Sequence, residues 1–241
     1  MCETCGCGQP GPEPDHDHTS RADHEHRVIE VRKGVLDENA RIAERNRGYF
    51  EGRRTVSLNL VGSPGSGKTS LLEKTCLELS GKLPLYVIEG DQQSELDAGR
   101  IRATGTEAVQ INTGYGCHLD ASMVSNALKG LDIKARGIVF IENVGNLVCP
   151  SLFDLGETER VLVMSVTEGE DKPLKYPYMF LSAHVCVVTK TDLLPYVDCD
   201  LGKLTANIRG VHSHMEVFPL SVKSGEGMDR WFSWLTGLTG K

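Results

Sequence analysis

From residue 53 onward, short apolar runs alternate with longer segments whose apolar positions recur every three or four residues. The short runs are 55–61 (TVSLNLV), 85–89 (LYVIE), 108–112 (AVQIN), 137–142 (GIVFIE), 160–166 (RVLVMSV), 184–189 (HVCVVT) and 216–221 (EVFPLS). They alternate little between apolar and polar residues, as expected of strands covered on both faces. The segments between them predict helices over 70–79, 95–103, 119–129, 200–208 and 226–236. In the first of these, Leu71, Leu72, Thr75, Cys76 and Leu79 share one face. Strands alternating with helices imply an α/β fold, with a mostly parallel central sheet and helices on both faces. Such sheets bind ligands at the carboxyl ends of their strands, so the residues following each run are the places to look for chemistry.

The first run is followed by Gly62, Ser63, Pro64, Gly65, Ser66, Gly67, Lys68 and Thr69, a full match to the phosphate-loop pattern G-x-x-x-x-G-K-[ST] between a strand and a helix. The glycines let the backbone curl so that successive N–H groups face phosphate oxygens, and the helix beginning at Ser70 adds positive potential. Lys68 is placed to reach the β- and γ-phosphates, and Thr69 to hold Mg2+. A ligand-free glycine turn is the alternative, and the strand and helix on either side argue against it. Asp91, just past the second run, is placed to approach the magnesium ion. Glu142, ending the fourth, stands where nucleoside triphosphatases keep an acidic residue. Either could also be an ordinary loop carboxylate. Lys68, Thr69, Asp91 and Glu142 are the candidate catalytic set.

After the sixth run, Thr189-Lys190-Thr191-Asp192 resembles the guanine-reading N-K-x-D element, with Thr in place of Asn. A carboxylate at Asp192 pairs with the two donors of guanine, whereas adenine would leave it unpaired. The stem of Lys190 can cover the base. Thr189 lacks the amide of Asn, which predicts weaker hold on the base. Ser221, Val222 and Lys223 resemble the S-A-K element, whose backbone meets the guanine oxygen. Cys117 and His118 follow the third run and Cys149 follows the fourth, so all three leave the same sheet edge. Two thiolates and an imidazole suit Zn(II) or Ni(II). The two halves are about thirty residues apart, and by spacing alone His118 reads first as a polar residue at a helix start.

Upstream, 37–50 predicts a connecting helix with a basic end (Arg41, Arg45, Arg47), lying solvated on the domain surface. Residues 1–27 read as a tail unable to build a core. Cys2, Cys5 and Cys7 lie there among glycines and prolines that let the chain wrap a soft or borderline ion. His16, His18, His24 and His26 alternate with acidic residues, either a weak metal-holding tract or an acidic spacer. The division expected is therefore a tail over 1–27, a helical connector over 28–52 and a nucleotide domain over 53–241.

Composition narrows the class. Hydrophobic residues make up 39% and charged residues 24%, as in globular proteins. The net charge of −7, from 26 basic and 33 acidic residues, gives no support for nucleic-acid binding. There is no apolar run of membrane-spanning length and no basic-then-apolar leader, so the expectation is a cytoplasmic protein. In a reducing cytosol, the eight cysteines point to metal binding where they cluster. Cys76 and Cys186, on a helix face and in a strand, read as small buried hydrophobes.

Taken together, MCETCGCG (1–8), GSPGSGKTSLLE (62–73), EGDQQSELDAGRIRATG (89–105), GCHLDA (116–121), ENVGNLVCP (142–150), KTDLLPY (190–196) and SGEGMDRW (224–231) resemble the HypB family, the nickel-insertion GTPases of hydrogenase maturation. The resemblance covers the tail and nearly all of the body. It implies a P-loop GTPase of the SIMIBI type, related to signal-recognition and MinD-like proteins, that binds GTP and GDP with Mg2+. It implies a tight nickel site at Cys2, Cys5 and Cys7 and a second zinc or nickel site at Cys117, His118 and Cys149. It further implies nucleotide-dependent homodimers, delivery of nickel to the large subunit of [NiFe]-hydrogenase, a HypA-type metallochaperone as partner and, in some organisms, SlyD. Two other readings compete. One is a nickel store whose slow GTPase acts as a timer. The other is a small-molecule kinase, which Asp192 and the absence of an acceptor lid disfavour.

Overall fold

The computed structural model describes residues 18–92 and 96–240, with side chains from residue 33 onward. By internal contact the chain divides into units 1–37 and 38–241. Cys2, Cys5, Cys7 and His16 lie outside the described residues. His18, His24 and His26 fall on helical backbone whose side chains are also outside them.

Seven strands form one sheet: β1 (Val56–Val61), β2 (Leu85–Asp91), β3 (Glu107–Asn112), β4 (Ile138–Glu142), β5 (Glu159–Ser165), β6 (Val185–Thr189) and β7 (Glu216–Pro219). The order across the sheet is β3-β2-β4-β1-β5-β6-β7, and every pairing is parallel. All seven expected strands are present, each within a few residues of its expected limits. The helices are α1 (His18–Gly52), α2 (Lys68–Leu79), α3 (Leu96–Ala103), α4 (Ala121–Ala127), α5 (Lys172–Lys175), α6 (Pro177–Ser182), α7 (Leu201–Val211) and α8 (Met228–Thr239).

The central strands bury both faces, with period two, whereas the edge strand β3 buries only Ala108 and does not meet the expectation of a strand covered on both faces. On one face Leu58, Leu60, Val87, Phe140 and Val163 pack beneath α2 and α8, where Trp231 is buried and donates to Thr75 Oγ1 at 3.0 Å. On the other, Ile88, Val139 and Ile141 meet α4 and Phe50 of α1, while Leu162, Met164 and Val188 meet α6 and α7. Cys76 and Cys186 are buried as expected, and burial pushes the Cys76 thiol up to about 11.

Three expectations change. The helix predicted over 119–129 is α4 followed by a 3-10 turn at Leu128–Gly130. Two short helices, α5 and α6, stand where none was expected. Each starts with a proline in its first turn, where the missing N–H costs nothing. The end of α1 is not a solvated surface helix. Ala43 and Phe50 are fully buried, and the amides of Asn39 and Asn46 reach across to the loops before α4 and β5. The charged residues of α1 hid this, because its apolar face is narrow and its long-range polar contacts are made by Asn39, Asn46 and the basic Arg47, which pairs with Asp154 at 2.6 Å.

Candidate functional site

β1 runs into the phosphate loop, and α2 begins at Lys68 itself. Gly65 and Gly67 hold φ values of 72° and 99°, a region that only glycine enters readily. A Cβ on Gly62 would lie 2.0 Å from the Val163 carbonyl oxygen, so that position accepts no side chain. Lys68 is buried and donates to the carbonyls of Gly62 (3.4 Å) and Ser63 (3.3 Å). Burial lowers its pKa against the opposing pull of Glu142, Glu89, Glu168 and Asp97. The buried Ser66 hydroxyl has no partner among the described residues. A loop with glycine turns, an inward lysine and an unsatisfied hydroxyl fits an anionic phosphate group.

Beneath the loop lies an acidic layer. The Thr69 hydroxyl donates to Glu142 Oε1 at 2.8 Å. Glu142 stands opposite Glu89 in the β2–β4 register, and both are buried. No donor among the described residues reaches Glu142 Oε2 or Glu89 Oε1. Burial raises the pKa of both carboxyls. Glu142 beside it pushes Glu89 further, while Lys68 and the Thr69 hydroxyl restrain Glu142. Glu89 is therefore the better proton holder of the pair. The orphaned carboxylate oxygen beside Thr69 fits a hard cation such as Mg2+. Asp91 ends β2 at the same edge, and its carbonyl accepts from Thr113 N at 2.9 Å. Glu89 and Asp97 were missed from sequence. Asp97 acts on Lys68, Glu89 and Glu142 from the first turn of α3. An acidic residue at a helix start just past a strand end was the available signal.

On the β6–β7 side, a cleft of about 480 Å³ is lined by residues that include Gly67, Ser70, Lys190, Asp192, Val222 and Lys223. Lys190 has φ 61° and donates through Nζ to the Gly65 carbonyl at 2.7 Å. Ser221 lies behind the cleft, where its hydroxyl donates to Asp192 Oδ1 at 2.6 Å and accepts from Ser224 N at 3.1 Å. Its side chain thus braces the carboxylate. Thr189 is buried and its hydroxyl donates to the Ser66 carbonyl at 2.6 Å, tying β6 to the phosphate loop. The position that departs from Asn is thus occupied by a structural tether.

On the β3–β4 side, the ligand atoms of Cys117, His118 and Cys149 lie within 4.8 Å of one another. The sulfurs are 2.8 Å apart, and Cys117 Sγ is 3.6 Å from His118 Nδ1. The helix start is capped by Asp120, which accepts from Met123 N at 2.8 Å, so His118 is not needed there. Its ring stacks on Phe153 at 3.9 Å between centroids. Burial lowers its pKa, which favours the neutral imidazole that binds metal. The Cys149 thiol is raised by its hydrogen bond with Cys117. Two sulfurs and a neutral imidazole fit a borderline ion such as Zn(II) or Ni(II).

Distant polar residues hold these loops. Asn143 Oδ1 accepts from Leu119 N and from Val144 N, both at 3.0 Å. Gly90 leaves room for Leu119, whose side chain would be 2.7 Å from a Cβ there. Arg160, buried, donates to the carbonyls of Ser151 (3.3 Å) and Phe153 (2.8 Å) and pairs with Glu157 at 2.7 Å. Asn46 donates to the carbonyls of Ala121 (2.8 Å) and Leu155 (3.0 Å).

Known proteins share both the sequence and this frame. Residues 56–219 match the CobW/HypB/UreG nucleotide-binding domain. Hydrogenase maturation factor HypB of Escherichia coli (strain K12) is 56% identical over 211 residues, covering 88% of this chain and 73% of the relative. The crystal structure of HypB from Helicobacter pylori in complex with nickel is 33% identical with a TM-score of 0.80, covering 84% of this chain and 95% of that one. The signal recognition particle 54 kDa protein of Aeropyrum pernix K1, at 16% identity and a TM-score of 0.53 over 69% of this chain and 41% of its own, shares the fold alone. With a phosphate loop, a cleft beside it and a Cys/His cluster on one sheet edge, this chain belongs to the HypB family of hydrogenase maturation factors.

Proposed function

We propose that this protein hydrolyses GTP to GDP and phosphate, and that its nucleotide state governs the uptake and release of Ni(II) for [NiFe]-hydrogenase maturation. The observation that carries the reading is the adjacency of two sites. The Cys117/His118/Cys149 loops and the phosphate loop leave the same sheet edge and are hydrogen-bonded to each other at Gly62 and Asn146. Asp192, braced by Ser221, accepts from guanine, and the stem of Lys190 covers the base. Lys68 gives up the loop carbonyls to meet the phosphates. Thr69 and Glu142, with Asp91 and Asp97 at the same edge, would hold Mg2+, which supplies charge neutralisation at the phosphates when bound. Phosphoryl transfer asks little more of the protein than this positioning and charge.

Nickel is cargo in this scheme. Cys2, Cys5 and Cys7 form the tight entry site, and Cys117, His118 and Cys149 form the nucleotide-coupled one, which can also hold Zn(II). The partners that follow are a HypA-type metallochaperone, the hydrogenase large subunit, SlyD in some organisms and a second copy of this chain, all in the cytoplasm. Among the described residues no helix is long and apolar enough to cross a membrane.

Nickel titration of the nucleotide-free, GDP-bound and GTP-analogue-bound protein tests the reading, for the wild type and for the Cys2→Ala/Cys5→Ala/Cys7→Ala variant. The expected result is a tight site lost in the variant and a second site whose affinity depends on nucleotide. Two sites indifferent to nucleotide would leave a GTPase and a metal store on one chain.

A further inference from the structure

One peptide belongs to both loops. Asn146 donates its backbone N–H to the Gly62 carbonyl at 2.9 Å, forming an isolated antiparallel bridge between the metal-site loop and the start of the phosphate loop. Its side chain faces the other way in function. Asn146 Oδ1 accepts from Val148 N at 2.7 Å and from Cys149 N at 3.3 Å, shaping the turn that presents the Cys149 sulfur. The junction has no slack. Gly62 is pressed against the Val163 carbonyl, and a Cβ on Gly145 would lie 2.9 Å from Pro64 Cα. The Gly62 carbonyl that receives Asn146 also receives Lys68 Nζ at 3.4 Å.

The geometry points to Asn146 as the positioning residue that couples nucleotide state to the metal cluster, an inference that rests on the nucleotide-governed nickel reading above. Without phosphate, the Gly62 carbonyl is shared between Lys68 and Asn146. A phosphate draws the lysine away, and the Gly62 peptide then turns toward its remaining donor. Asn146 moves with that peptide, and its side chain carries the motion to the amide of Cys149. A thiolate–imidazole site holds its metal at about 2.0–2.3 Å from each ligand atom, so a small displacement of one sulfur changes affinity. Linkage makes the effect reciprocal: metal at the cluster alters nucleotide affinity by the same factor.

Asn146→Ala keeps the backbone bond to Gly62 and removes only the side-chain arm, while Asn146→Asp keeps an acceptor for the same two amides. The test uses the full-length chain carrying Cys2→Ser, Cys5→Ser and Cys7→Ser, so that the tail does not compete. Ni(II) affinity is measured against a competing chelator with GDP and with a non-hydrolysable GTP analogue. In this parent the two affinities should differ by on the order of fivefold or more, a typical coupling. In Asn146→Ala the ratio should collapse to about one and in Asn146→Asp it should return. Thermal melting checks that both variants are folded. A ratio in Asn146→Ala equal to the parent's overturns the assignment, whether or not both affinities have dropped together, because a merely structural residue would behave that way. A parent ratio of one would instead sink the coupled-delivery reading, and this inference with it.

Discussion

The two flanks of the phosphate loop are built on different plans. On the β6–β7 side, the cleft residues come from two short segments directly after strands, and they are tied to one another and to the phosphate loop. Ser221 holds Asp192, Lys190 holds Gly65 and Thr189 holds Ser66. On the β3–β4 side, Cys117, His118 and Cys149 sit on longer loops, supported from a distance by Asn46, Asn143 and Arg160. A base, the ligand proposed above for this cleft, presents an unchanging pattern of donors and acceptors, and a short preset frame suits it. The Cys/His cluster proposed to exchange an ion is mounted instead on loops whose supports reach into other elements, α1 and the phosphate loop among them.

The sharpest way to break this comparison is at Asp192. Asp192→Ala should reduce the preference for GTP over ATP by about 10⁴-fold, because a site built to pair with guanine donors loses its discriminating acceptor. Competition binding with the two nucleotides measures it, and an unchanged preference would mean that this flank does not read the base. On the other flank, Arg160→Met should destabilise the protein by about 3–5 kcal/mol, since it strands the buried Glu157 carboxylate. Glu157 now has its pKa held down: burial would raise it, but Arg160 and the Asn59 amide outweigh that. Urea unfolding gives the loss. Adding Glu157→Gln should recover part of it, because the stranded charge is then gone.

The smallest expected effect lies between the flanks, at Glu89 and Glu142. Both carboxyls have folded-state pKa values above the ordinary range. Such a group holds its proton better in the folded chain than in the unfolded one. Its contribution to stability is therefore complete at acid pH and is lost as pH rises from the usual carboxylate value through the raised one. Without nucleotide or Mg2+, the melting temperature should fall as pH rises from about 5 through about 7, where Glu142 loses its proton, toward about 10, where Glu89 does, and Glu89→Gln should make that fall shallower. A variant with the same slope as wild type would show that the pair does not titrate in this window.

The β6–β7 flank was readable because its candidate residues are contiguous. Lys190 and Asp192 are two residues apart, and a strand before them fixes which edge they face. The metal flank was only half readable. Cys117 and Cys149 could be assigned to the same edge, yet spacing alone left His118 as a helix-start residue, and only the cap at Asp120 excludes that role. Glu89 went unnoticed because the acidic role at the end of its run was given to Asp91, two residues on, and its facing of Glu142 depends on which strands pair. Asn143 and Asn146 went unnoticed because their partners are 24 residues away at Leu119 and past the end of the neighbouring strand β1 at Gly62.

What the sequence determined by itself is what depends on local pattern. Seven strands follow from seven apolar runs, the phosphate loop follows from its glycines and lysine, and the edge of the sheet on which the candidate residues lie follows from chain direction. Tertiary structure alone decided the strand order, the embedding of the end of α1, the facing of Glu89 and Glu142 and the bridge at Asn146. Each of these depends on groups far apart along the chain meeting in space, and nothing in the spacing of residues says which distant group will face which.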